Sequence, residues 1–243
     1  MELGELLISS KNDLPFPGAQ INIHQPTINE ISLIGEENFF AACQFINFDK
    51  NQLDEQDKIG LENKSNFDII MSIMSGKEEM KYKESVSMLL SLLFPTSTIK
   101  ITHDEIVIFN SEISTRINNL NFEEFKNIIN LMFDLKSSNI AGGDYNPADS
   151  RAAKIAEKLS KRKSKLEGNK EQGKVAVFSR YISILAVGEN KDKNSLYEYT
   201  VYQLQDEFKR FQMKEAYDIY LKARMAGASD LDEVENWMND IHS

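Results

Sequence analysis

Apolar positions fall into helical spacing along much of this chain, most clearly between Ser195 and Ser243. There Val201, Leu204, Phe208 and Phe211, followed by Tyr217, Tyr220, Leu221 and Met225, predict one long amphipathic helix. Gly227 stands where the stripe ends and suits a left-handed cap. Ser229 or Asp230 can open a second helix with Leu231, Val234, Trp237, Met238 and Ile241 on its apolar face, so the pattern predicts a terminal helical hairpin. Its apolar surface is wider than two helices cover by themselves, which calls for something packed against it.

From the start of the chain, Leu6–Ile8 and then Ile21 and Ile23 read as short strands joined by the turn-rich, proline-bearing stretch Lys11–Gly18. Thr27 or Asn29 can cap a helix through Ile34. Gly35 breaks it, and Glu36-Glu37 opens another helix carrying Phe39, Phe40, Cys43 and Phe45. Residues 49–64 turn polar and acidic, as a surface loop does. Asn66 then caps a helix running to Gly76, and Tyr82 to Phe94 forms another, ended by Pro95. The period switches at Ile99, Ile101, Ile106 and Ile108, predicting a second hairpin around Thr102–Glu105. Asn121 caps a helix with the stripe Phe122, Phe125, Ile128, Ile129, Met132 and Phe133. Val175 to Val187 suits a buried helix closed by Gly188, and Thr200 or Ser195 opens the long terminal one. The expected fold is mainly α with two short β-hairpins: an N-terminal α+β domain (1–136), a linker (137–150) rich in Ser, Gly and Asn, and a C-terminal helical domain (151–243).

Bulk properties narrow the function. With 243 residues, 41% of them hydrophobic, the chain can bury substantial cores. A net charge of -10 argues against general nucleic-acid binding. No apolar run reaches the roughly 18 residues of a membrane span, so a cytoplasmic protein is expected. The one basic segment is 151–174, nine cationic against three acidic side chains. That is +6, and it leaves the rest of the chain at -16. Within it, Lys161, Arg162 and Lys163 would line a nucleic-acid groove on one reading. The alternative is a solvated helix facing an acidic body or partner, favoured because the run has no aromatic residues for base stacking. Gly168 to Lys174 has the spacing of a phosphate loop, but Val175 stands where a magnesium-binding hydroxyl is needed.

Catalytic chemistry has little purchase here. Cys43 is the only cysteine and sits in an apolar setting, which reads as packing. His103 beside Asp104 is compatible with an acid/base pair and equally with a solvated turn. His24 and His242 lack any ligand spacing, so neither metal nor other cofactor is expected, and the chain reads as a non-enzyme. Asp206 and Arg210, four apart beside the apolar stripe, could register a partner helix.

The segments INIHQPTINEISLIGEENFF, NFEEFKNIINLMFDL and YTVYQLQDEFKRFQMKEAYDIYLKARMAGASDLDEVENWMNDIH together resemble proteins from the tail-morphogenesis region of long-tailed bacteriophages of low-GC hosts. These are tail assembly chaperones and small baseplate-hub assembly proteins. The resemblance implies a helical protein of the host cytoplasm that binds phage tail proteins, above all the tape measure protein, and that could self-associate. Tyr199, Leu204, Phe208, Phe211, Tyr217, Tyr220 and Trp237 are then the expected partner-binding residues, since aromatic side chains commonly anchor interfaces. A structural baseplate component is the first alternative, and a nucleic-acid-binding regulator using the basic segment the second.

Overall fold

A computed structural model of the chain describes residues 4–50, 63–75, 80–110, 114–135, 176–228, 231 and 234–238. The linker (137–150), the basic segment (151–174) with Lys161, Arg162 and Lys163, and the Gly168–Lys174 loop lie outside the described residues. The fold is mainly helical with two small antiparallel sheets. It divides into two compact units. One holds the described residues within Met1–Ser137 and Lys193–Gln203, the other those within Ser138–Asp192 and Leu204–Ser243.

The first unit opens with α1 (Glu5–Ser9) and then a hairpin of β1 (Leu14–Phe16) and β2 (Ile21–Ile23), joined through a short 3-10 turn at Pro17–Ala19. The first strand is therefore not Leu6–Ile8, which is helical, but Leu14-Pro15-Phe16 inside the expected turn. Burial explains the shift, because Leu14 and Phe16 are fully enclosed and Pro15 sits in a two-stranded ladder with an open side, where a missing N–H is tolerated. Helices α2 (Ile28–Ile34) and α3 (Glu36–Ile46) follow, separated at Gly35, whose φ of 81° suits glycine. Thr27 caps α2 in a full capping box. Its hydroxyl accepts from the Glu30 N–H at 3.2 Å, and the Glu30 carboxylate accepts from the Thr27 N–H at 2.7 Å.

Helices α4 (Asn66–Ser75) and α5 (Met80–Leu93) complete a helical layer in which α5 packs on α3. The cap of α4 is Ser65 rather than Asn66, because Ser65 and Asp68 bond reciprocally while Asn66 accepts from the Lys50 N–H. The second sheet is β3 (Thr98–Ile101), β4 (Ile106–Phe109) and β5 (Ser114–Ile117), paired in that order. The register places Ile99, Ile101, Ile106, Ile108 and Ile117 on one face, and Thr98, Lys100, Phe109, Ser114 and Arg116 on the other. Helix α6 (Phe122–Met132) covers β1 and supplies Phe122 and Phe125 to an aromatic core. Phe16 lies 5.8 Å from Phe125, Phe67 4.9 Å from Phe122, and Phe39 4.8 Å from Phe133. Asn121 precedes α6 without capping it. Its side-chain amide instead donates to the carbonyls of Gly18 and Arg116, bolting the helix start to the first hairpin.

The short α8 (Lys193–Tyr197) and the residues after it also belong to this first unit. Thr200 forms a bridge with Thr27, the Ile28 N–H donates to the Tyr199 carbonyl, and Gln203 Nε2 donates to the Ser9 carbonyl. Leu196, Thr200 and Val201 are buried there. In the second unit, α7 (Val177–Gly188) meets the long α9 (Val201–Met225), whose first three residues fall in the first unit. Thr200 opens α9, its hydroxyl accepting from the Gln203 N–H and its own N–H donating to Gln203 Oε1. Gly227 closes it at φ 93°: the Ala228 N–H reaches the Ala223 carbonyl and the Gly227 N–H the Arg224 carbonyl, the paired bonds of a Schellman ending. The second helix of the expected terminal hairpin is not formed at Leu231 or Val234–Met238. These residues carry no helix, and Trp237 and Met238 lie in a turn. Leu231, Val234 and Trp237 are only half-buried and Met238 is 67% exposed, so the apolar face that would have to anchor such a helix finds little cover.

Candidate functional site

Helix α9 carries most of the expected partner-binding residues, and its geometry sorts them. Phe208 and Tyr217 are nine residues apart, as are Phe211 and Tyr220. Nine residues make about two and a half turns, so each pair points to opposite sides of the helix. The apolar positions read as one stripe are thus two half-stripes that change face near the middle.

The first half-stripe is occupied within the second unit. Phe208 stacks on Tyr181 of α7 with ring centroids 3.9 Å apart and planes within 11°. Phe211 lies over Gly188, the last residue of α7, where only the lack of a side chain lets the ring approach. Lys191 just beyond α7 pairs with Glu207 and, at 3.0 Å, with Glu189. Leu204 is fully buried, which makes it a core residue and removes it from any docking face. Tyr199 is half-buried in the first unit, where its carbonyl meets α2.

The second half-stripe is open. After Gln205 no residue of α9 is buried. Tyr217 and Tyr220 are half-exposed and lean on one another at 6.4 Å, with the Arg224 guanidinium 6.0 Å from the Tyr220 ring. Leu221 is 40% and Met225 89% exposed. Ile219 comes about three turns after Phe208 and so returns to the α7 side, yet it is 64% exposed, which marks where that cover ends. Asp206 and Arg210 form an ion pair along α9 at 3.2 Å, and Arg210 also donates to the Trp237 carbonyl at 3.3 Å. Arg210 thus fastens the turn holding the half-buried Trp237.

The candidate catalytic residues are scattered. Cys43 is buried, and burial pushes its thiol well above its ordinary value. His103 and Asp104 contact each other in the solvent-exposed turn between β3 and β4. No three potential metal ligands cluster among the described residues, and none of the described helices is long and apolar enough to cross a membrane. The grouping that sequence spacing missed is around His24. Its Nδ1 lies 3.1 Å from Asp13 Oδ1 and its Nε2 3.2 Å from Glu30 Oε1. Burial raises the affinity of Glu30 for a proton, but the Thr27 N–H and hydroxyl and the His24 ring outweigh it and hold the carboxyl below its usual value. The Thr27-x-x-Glu30 capping-box spacing was a usable signal for half of this cluster.

Residues 168–242 are similar to a family model described as the YomV second domain. That family is phage-associated, YomV being a Bacillus prophage protein. The match covers under a third of the chain and includes α7, α8 and α9. No curated protein matches the chain, and no solved structure does.

Proposed function

We propose that this is a non-enzymatic phage protein that binds a helical, apolar tail protein during assembly in the host cytoplasm, the tape measure protein being the intended partner. The observation that carries this reading is the open distal half of α9, where Tyr217, Tyr220, Leu221 and Met225 present apolar and aromatic surface over about two and a half turns. The likeness of residues 168–242 to a phage-associated domain gives the reading its setting. A net charge of -10 would keep such a complex dispersed while apolar surface is being handed over.

The role of Phe208 and Phe211 in this reading is to hold α9 on α7, and contact with the partner falls to Tyr217 and Tyr220. The test is co-expression with the tape measure protein and recovery of the pair, alongside the double substitution Tyr217→Ala, Tyr220→Ala. Retention of a soluble partner by the wild type and its loss in the variant is the expected result. A tape measure that stays insoluble with the wild-type chain removes the proposal. Recovery of the chain from purified virions would point instead to a baseplate component.

A further inference from the structure

His24 stands between two carboxylates contributed by different parts of the first unit. Asp13 comes from the turn before β1 and Glu30 from the first turn of α2, while α5 supplies the Leu93 carbonyl that accepts from the His24 backbone N–H at 2.9 Å. Lys11, two residues before Asp13, pairs with Glu198 at 3.7 Å. The imidazole side chain is 26% exposed, against 51% for Asp13 and 38% for Glu30, so the group is shielded yet within reach of solvent protons.

A carboxylate can only accept a hydrogen bond. Both ring nitrogens can therefore satisfy their partners only when each carries a proton, which is the imidazolium form. A neutral ring donates at one nitrogen and turns a lone pair toward a carboxylate at the other. We propose that His24 is a proton-operated latch: protonated, it ties the turn at Asp13 to the capping box of α2 through Glu30, and loss of the proton releases one of the two ties. Histidine is the side chain that makes this change near neutral pH. The release reaches beyond the ring because Glu30 also accepts from the Thr27 N–H and hydroxyl, and Thr27 bridges Thr200 while Ile28 donates to Tyr199. The α2 cap and the docking of residues 199–200 on the first unit therefore share the same anchor. Gln25, next to His24, donates to the carbonyls of Leu7, Ser10 and Asn12, which holds the Asp13 side of the latch in place.

The test uses the full chain. Imidazole nitrogen and carbon resonances of His24 are followed with pH in the wild type and in Asp13→Asn, and amide exchange across Ile28–Ile34 is compared at about pH 6 and about pH 8 in the wild type and in His24→Gln. The latch requires the backbone amide signals of Asp13 and Glu30 to change together with the His24 ring signals in the wild type, and Asp13→Asn to uncouple position 13 from the ring. It also requires α2 protection, corrected for intrinsic exchange, to drop roughly two- to fivefold toward alkaline pH, the scale of a partly exposed charge pair, and not to drop in His24→Gln. Ring signals that change while the Asp13 and Glu30 amides stay still overturn the proposal, and so does α2 protection with the same pH dependence in both backgrounds. The resonance comparison stands even where His24→Gln folds poorly.

Discussion

The contact between Phe211 and Gly188 offers a test of how the second unit is held together. A methyl group at position 188 would lie 2.4 Å from Phe211 Cζ and 2.5 Å from Cε2. Ordinary carbon contacts begin near 3.5 Å, so the ring would have to retreat by about 1 Å or more. Overpacking of this kind costs about 1–3 kcal/mol. Gly188 is the last residue of α7 and its φ is not positive, so alanine also brings a gain in helix propensity, at most about 1 kcal/mol in a helix interior and less at an end. The balance for Gly188→Ala is a net loss of about 0.5–2 kcal/mol.

Removing the ring should reverse that sign. Phe211→Ala costs less than the roughly 3–5 kcal/mol of a fully buried phenylalanine, because Phe211 is only half-buried. In that background nothing opposes the new methyl, and Gly188→Ala becomes neutral or stabilising by a few tenths of a kcal/mol, giving a coupling of about 0.5–2.5 kcal/mol. Urea unfolding followed by far-UV circular dichroism measures the four corners of the cycle, and amide exchange along Val177–Gly188 assigns the change to the second unit. A coupling below about 0.5 kcal/mol would falsify the seating of Phe211 on Gly188.

Gly227→Ala should cost about 1–2 kcal/mol by differential scanning calorimetry, although nothing lies within 4 Å of the missing Cβ, because the φ of 93° alone penalises an L side chain. Thr27→Ala removes a cap and should cost about 1 kcal/mol, with exchange accelerating first in Ile28–Ile34. For Glu30 the folded carboxyl holds its charge to lower pH than the ordinary value of 4.5, so its contribution is complete above that value and fades as pH falls through the folded one. Glu30→Gln should flatten that part of an acid-unfolding curve, and an unchanged curve would refute the assignment. Phe125→Ala, emptying a site between Phe16 and Phe122, should cost about 3–5 kcal/mol in urea unfolding.

What the sequence made legible were features set by a few neighbouring residues. Thr27 and Gly227 behave as caps because capping chemistry is complete within about five positions. The β3–β4 hairpin is visible in the alternation of its isoleucines, and α9 in its helical period. Choices decided by distant packing were hidden. Leu6–Ile8 is too short a run for periodicity to tell helix from strand, and Leu14-Pro15-Phe16 reads as turn until the enclosure of both apolar side chains is known. Strand β5, Ser114-Thr115-Arg116-Ile117, carries a single apolar residue and so shows no apolar alternation to stand out. The His24 cluster was hidden for the same reason, since Asp13 and Glu30 reach the ring from opposite sides along the chain.

Along α9, adding apolar positions without tracking their angle hides that they fall on two faces. Phe208 and Phe211 already have neighbours in α7, so substituting them perturbs the scaffold and any partner contact together, and a loss of binding in such variants has two explanations. Tyr217 and Tyr220 lie half a turn away and close no described core, so their loss separates the two. The segment similar to the phage-associated domain mixes both kinds of residue with a third: Leu196, Thr200 and Val201, which complete the first unit. Substitutions across 168–242 should therefore sort into those that unsettle α2, those that unsettle α7, and those on the distal face of α9 that leave both helices protected. Only the last group reports on binding alone.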